Sequence, residues 1–156
     1  MKFTVTLNGE VVDGDVEPRV LLAAYLREER GLTGVKLSCE AGICGACTVL
    51  MDGLPVSSCS TLAVDSDRCA VTTIEGVGTT EALHPLQQAF ASTVAFQCGF
   101  CTPGMVMAAV ALLAENPDPT EDEDREGLEG NFCRCTGYHN IVRAVRAAAA
   151  AVGDSA

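Results

Sequence analysis

Eight of the nine cysteines fall into two sets whose spacing could hold metal. In the second half, "QCGFCTPG" (97–104) sets Cys98 and Cys101 two residues apart, and "NFCRCTGYHN" (131–140) places Cys133 and Cys135 around a single arginine. Each stretch supplies half a ligand set, and together they supply a whole one. In the first half, Cys39, Cys44 and Cys47 share the stretch "CEAGICGAC", and Cys59 follows after eleven intervening residues. Cys69 is left over. An odd count cannot pair fully as disulfides within one chain, and in a reducing compartment such thiols bind metal or do chemistry.

The first set reads C-x4-C-x2-C, which is the plant-type [2Fe–2S] spacing. A loop that wraps two irons and two sulfides must place thiolates on both irons and aim its amides at the sulfurs. Ala41, Gly42, Gly45 and Ala46 are small enough to let the backbone come that close. A four-thiolate cluster is anionic, so amide dipoles are needed to hold it. Zinc is the alternative, because four cysteines and a C-x2-C half-site also suit zinc. Structural zinc usually joins two short knuckles, whereas three of the first four ligands share one loop. Zinc is therefore the weaker reading of the first set and a closer rival for the second. A thioredoxin-like pair at 98–101 would need a βαβ context. A Rieske centre would need two histidines, and His84 and His139 are not spaced for one; they read as capping or surface residues. Cys69 reads as a small buried apolar residue.

The elements that would position these thiols divide along the same line. Phe3, Val5 and Leu7 alternate, Asn8-Gly9 signals a type I′ hairpin turn, and Val11-Val12 begins a returning strand. "RVLLAAYLREERG" (19–31) has helical spacing with Gly31 as a stop. "CTVLMDGLPVSSC" (47–59) reads as strand, Asp-Gly turn and strand, and "AVTTIEG" (70–76) as a last strand. Beyond the polar break "GVGTTEA" (76–82) the pattern turns helical: 84–93 with Pro85 at the opening, 103–116, 120–130 with a Thr120/Glu123 capping box, and 138–152. The expected fold is α+β: a β-grasp, ferredoxin-like domain over 1–76, a linker over 77–83, and a four-helix bundle domain over 84–156. Each domain would carry one quartet.

Composition limits the function. Of the 156 residues, 48% are apolar, so a packed core is feasible, but only 4% are aromatic, leaving Leu, Val, Ile and Ala to build it. A net charge of −11 argues against nucleic acid or an anionic membrane surface as partner. The strongest apolar run, 105–114, is about half a bilayer span, so no membrane insertion is expected. "MKFTVTLNGE" alternates like a strand rather than a signal peptide, and the expected location is cytoplasmic. "GVGTTE" (76–81) lacks the third glycine of a dinucleotide loop. No His, Asp or Ser set suggests acid–base or nucleophilic work, so no catalytic residue is expected on this chain. A chain that holds two clusters and little else moves single electrons, and substrate chemistry falls to a partner's cofactor.

The stretches "LSCEAGICGACTVLMDG", "SCSTLA", "LHPLQQAFA", "QCGFCTPGM", "NPDPTEDE" and "GNFCRCTGYHNIV" together resemble the small iron–sulfur subunit of the molybdenum hydroxylases, the xanthine dehydrogenase, aldehyde oxidoreductase and aerobic carbon monoxide dehydrogenase family. The resemblance spans nearly the whole chain. One departure is Ser38, where many members have Gly before the first ligand. The resemblance implies a heterotrimer, assembled as a dimer of heterotrimers. A large subunit would carry molybdenum on a pterin cytosine dinucleotide, and a medium subunit would carry FAD. It further implies that Cys98, Cys101, Cys133 and Cys135 hold the [2Fe–2S] cluster nearest the pterin, with Gln97 and Cys135 against the pterin. Cys39, Cys44, Cys47 and Cys59 would then hold the [2Fe–2S] cluster nearest the flavin. Arg134 faces outward or pairs with a carboxylate. Two rivals stand beside this reading: a free-standing two-cluster ferredoxin, and a zinc-binding interaction module. The resemblance leaves the substrate of the complex open among purines and other N-heterocycles, aldehydes, aromatic acyl thioesters and carbon monoxide, because none would touch this chain.

Overall fold

The computed structural model describes residues 1–153. Strands β1 (Lys2–Leu7) and β2 (Glu10–Asp15) pair antiparallel around Asn8-Gly9, whose φ values of 50° and 88° are both left-handed, as a type I′ turn requires. A second hairpin joins β3 (Thr48–Met51) to β4 (Leu54–Ser57) around Asp52-Gly53, with φ of 51° and 83°. Strand β5 (Ala70–Thr72) sits between the hairpins, parallel to β1 and antiparallel to β3, giving the sheet order β2-β1-β5-β3-β4. Period-two alternation sends Phe3, Val5 and Leu7 to one face, where they are buried with Val49, Val71 and Leu26.

The helix expected over 19–31 is much shorter. Helix α1 (Leu22–Ala24) runs on as a π-helical turn, Tyr25–Glu29. Tertiary pairing claims the residues before it. Leu21 bridges Leu62, the Leu22 amide donates to Thr61 O, and the Ala63 amide donates to Val20 O. The widened turn places Arg30 so that its Nε donates to the Tyr25 hydroxyl at 2.7 Å and its guanidinium lies 5.3 Å from the Tyr25 ring centroid. The last strand also ends early, at Thr72. Asn8 captures Thr73 with both ends of its amide, accepting from Thr73 N at 2.8 Å and donating to Thr73 Oγ1 at 3.1 Å.

Four helices follow: α2 (Pro85–Ser92), α3 (Thr102–Glu115), α4 (Glu121–Gly127) and α5 (His139–Gly153). Their starts are chemically marked. His84 caps α2 through Nδ1, which accepts the Leu86 amide at 3.2 Å, while Gln87 Oε1 accepts the His84 amide at 2.9 Å. Thr120 and Glu123 form the expected capping box on α4. Leu86, Phe90, Met105, Val106, Ile141 and Val145 form a second buried cluster, distinct from the one under the sheet. Helix α3 also packs along β3 and β4, which ties the helices to the sheet. The chain is thus an α+β fold, a mixed sheet with helices. Residues 154–156, included in the expected helical domain, lie outside the described residues. Among the described residues no helix is long and apolar enough to cross a membrane.

Candidate metal centres

The first quartet is built by a curled loop and a hairpin. Glu40, Gly42 and Gly45 take φ of 51°, 69° and 70° and fold the loop back on itself. That curl turns amides inward: Ala41 N and Cys44 N each donate to Cys39 Sγ at 3.4 Å, and Gly42 N donates to Cys59 Sγ at 3.4 Å. Amides of Ala41, Ile43 and Cys44 lower the Cys39 thiol from its usual range to about 6, which favours the thiolate. Cys47 directly precedes β3 and Cys59 follows β4, so the hairpin brings these two buried cysteines together. Burial pushes the Cys59 thiol up, with the Gly42 amide opposing.

The second quartet forms where helix ends meet. Cys98 and Cys101 lie between α2 and α3, with Cys101 at the N-cap of α3; Cys133 and Cys135 lie between α4 and α5. Cys135 Sγ and Cys98 Sγ are 3.6 Å apart. Burial, and then Cys133, push the Cys101 thiol up to about 12. Burial opposes ionisation of Cys133 too, but the Thr136 hydroxyl and the amides of Cys135 and Thr136 outweigh it and lower that thiol.

Within each quartet the thiols lie close enough to shift one another's ionisation: Cys44 acts on Cys39, Cys47 on Cys59 and Cys133 on Cys101, while Cys98 and Cys135 are the two sulfurs 3.6 Å apart. Two thiolates on each of two irons is the arrangement a [2Fe–2S] cluster requires, the remaining positions being bridging sulfides. Four thiols gathered at each quartet, with backbone amides aimed at Cys39 and Cys59 and a hydroxyl aimed at Cys133, fit a diiron cluster. All nine cysteines are free of disulfides.

A cavity of about 530 Å³ connects the two regions, lined by Ser38, Cys44 and Ala46 on one side and by Cys98, Cys101, Cys133 and Cys135 on the other. Beside it the two loops are clamped together. The Phe132 amide donates to Cys44 O at 2.9 Å, and buried Asn131 donates from Nδ2 to Gly45 O at 2.8 Å and to Thr48 Oγ1 at 3.2 Å. A Cβ on Gly104 would run into Gly45 O, and one on Gly45 would run into Gly130 O, so both glycines are needed for this approach. Sequence reasoning missed Asn131. Its only signal is a carboxamide two residues before Cys133.

Other expected residues lie as follows. Gln97 is exposed beside Cys98, Arg134 is exposed, and Ser38 is exposed at the cavity rim. His139 is exposed at the start of α5. Cys69 is not the fully buried residue expected. It is half-buried before β5, with Sγ near the carbonyls of Asp65 and Asp67 at 3.9 and 3.6 Å and no cysteine partner among its hydrogen bonds. Ile43, Phe96, Phe100 and Phe132 are large apolar side chains exposed on or next to the cysteine loops.

Two family models match. One, described as "2Fe-2S iron-sulfur cluster binding domain", matches residues 5–80, and the other, "[2Fe-2S] binding domain", matches residues 73–146. The chain is 49% identical over 154 residues to the nicotine 6-hydroxylase small subunit of Paenarthrobacter nicotinovorans, covering 99% of this chain and 93% of that one. It is 49% identical over 144 residues to the nicotinate dehydrogenase small FeS subunit of Eubacterium barkeri, covering 92% of each. A chain in the crystal structure of quinoline 2-oxidoreductase from Pseudomonas putida 86 superposes with a TM-score of 0.94 at 49% identity, covering 99% of this chain and 96% of that one.

Proposed function

The chain belongs to the family of iron–sulfur small subunits of the molybdenum hydroxylases, and from that premise we propose that it holds two [2Fe–2S] clusters and passes electrons from a molybdenum–pterin site toward FAD. It is an oxidoreductase subunit that transfers electrons. Cys98, Cys101, Cys133 and Cys135 would hold the cluster on the pterin side, with Gln97 and Cys135 against the pterin. Cys39, Cys44, Cys47 and Cys59 would hold the cluster on the flavin side. Each cluster, when bound, accepts and releases one electron at a time. The chain's own residues supply the thiolates, aim amides at them, and bury Cys47 and Cys59 away from water. They also hold the two loops in contact through Asn131.

The observation that carries this reading is the gathering of eight thiols in two quartets with hydrogen-bond donors aimed at their sulfurs. Two domains, 1–76 and 84–156 joined by 77–83, agree with two separate buried clusters and with two family matches that overlap only at 73–80. The sheet order supports a β-grasp for the first domain and the four helices support a bundle for the second.

The partners would be a large molybdenum subunit and a medium FAD subunit, in a dimer of heterotrimers in the cytoplasm. Ile43 on the first loop and Phe96, Phe100 and Phe132 around the second favour permanent partners over a freely diffusing ferredoxin, because exposed apolar side chains gathered at a functional site mark an interface. The relatives' names, with nicotine, nicotinate and quinoline in them, favour a nitrogen heterocycle as substrate of the complex over an aldehyde or carbon monoxide. Purification from the native host tests the reading. Co-purifying flavin and molybdopterin subunits support it, and a chain that elutes alone with both clusters would replace it with the ferredoxin.

A further inference from the structure

We propose that Thr136 is a positioning residue that raises the reduction potential of the cluster held by Cys98, Cys101, Cys133 and Cys135, by donating its hydroxyl proton to Cys133 Sγ. The proposal rests on the cluster assignment above. Thr136 Oγ1 lies 3.1 Å from Cys133 Sγ. A hydroxyl has one proton and two acceptor lone pairs, so its orientation depends on what else it binds. Here the Tyr138 amide donates to Thr136 Oγ1 at 3.1 Å, occupying an acceptor position and leaving the proton for the sulfur.

The backbone enforces this arrangement. Gly137 and Tyr138 take φ of 63° and 68°, two successive left-handed residues that turn the Tyr138 amide back onto Thr136. The Tyr138 hydroxyl oxygen accepts the Cys133 amide at 2.9 Å. Three hydrogen bonds thus close a ring: Cys133 N to the Tyr138 hydroxyl, Tyr138 N to Thr136 Oγ1, and Thr136 Oγ1 to Cys133 Sγ. At the first quartet the sulfurs accept instead from the backbone amides of Ala41, Gly42 and Cys44. A side-chain change cannot delete those, whereas it can delete the Thr136 bond.

Reduction by one electron adds one negative charge and makes or breaks no bond. A hydrogen bond donated to a ligand sulfur stabilises the more negative state more strongly, so it raises the potential. Thr136→Val keeps the branched shape and removes the donor. In the intact complex it should shift the reduction equilibrium of this cluster toward the oxidised form by up to about tenfold, ~59 mV for one electron.

The test is a redox titration followed by electron paramagnetic resonance on the wild-type, Thr136→Val and Thr136→Ser complexes. The cluster is identified by the signal that Cys133→Ser removes. Thr136→Val should lower that midpoint, Thr136→Ser should restore it, and the other cluster's midpoint should stay put. An unchanged midpoint in a Thr136→Val complex with full iron overturns the proposal. Should that variant lose iron, wild-type protein decides. Brief exposure to D2O should remove a fast-exchanging proton coupled to this reduced cluster, and the absence of such a proton overturns the proposal. Zinc in place of iron would instead overturn the cluster assignment, and this proposal with it.

Discussion

The carbonyl of Cys44 accepts a hydrogen bond from the amide of Phe132 at 2.9 Å, so one hydrogen bond and one peptide unit separate a cysteine of the first quartet from Cys133 of the second. Asn131 closes the same junction from the side with bonds to Gly45 O and Thr48 Oγ1. The two sulfur sets, each assembled from its own loops, are therefore held at one fixed separation.

That junction makes Asn131 the side chain whose loss should loosen the contact between the two loops. Asn131→Ala leaves Gly45 O without this buried donor and should destabilise the fold by about 1–3 kcal/mol. It should also weaken the magnetic interaction between the two reduced clusters while full iron is retained. Thermal melts and low-temperature resonance spectra check both effects. An unchanged melting temperature and unchanged spectral splitting would show that the clamp does nothing.

Cys69 and Cys135 separate the ligand assignment from simple cysteine content. Cys135→Ser should damage the cluster of the second quartet and abolish turnover of the complex, leaving the other resonance signal in place. Cys69→Ala should keep both signals, since its thiol meets backbone carbonyls and no cysteine. Loss of a signal in the Cys69 variant, or near-normal turnover in the Cys135 variant, would contradict the assignment.

Both hairpin turns were legible in the sequence because short-range chemistry decides them. Asn8-Gly9 and Asp52-Gly53 can adopt the paired left-handed turns with few alternatives. The helix expected over 19–31 was overstated because Val20, Leu21 and Leu22 give their backbone bonds to Thr61, Leu62 and Ala63, a partner set that no local periodicity reveals. Asn131 was missed for the same reason, as its value depends on Gly45 and Thr48 in another loop. The exposure of Cys69 depends on its place ahead of β5, and its residue type predicted the opposite.

Asp124 is fully buried on α4, and neither of its oxygens has a hydrogen bond; Arg146 Nη1 stands 3.5 Å away as an ion-pair partner, itself about half exposed. Burial raises the Asp124 carboxyl above its ordinary range, with Arg146 opposing. The folded protein therefore holds this proton more tightly than the unfolded chain. Stability should fall as pH rises from about 3.8 through the raised value. Asp124→Leu should remove that slope and leave the fold as stable or more so. Arg146→Ala should cost about 1–3 kcal/mol, less than the about 3–5 of a fully buried pair. Urea unfolding at several pH values tests all three. A Leu variant that melts well below wild type would contradict them.

His84 carries the opposite sign. Its Nδ1 must be unprotonated to accept the Leu86 amide, and burial lowers its pKa. The stabilisation is fully present above the unfolded value of about 6.5 and is lost as pH falls through the lowered folded value. His84→Asn keeps a capping acceptor without titrating, so it should flatten the acid side of the stability curve. His84→Ala should cost about 1 kcal/mol at neutral pH. Melting curves between mildly acidic and neutral pH check both, and an Ala variant as stable as wild type would remove the cap from the account.

Metal and acid-labile sulfide analysis of the anaerobically purified complex, read together with its resonance spectrum after dithionite, tests the central claim most directly. Two diiron clusters predict about four irons and about four sulfides per chain and two distinct one-electron signals. Zinc at either quartet, or a single signal from material with about two irons, would contradict it.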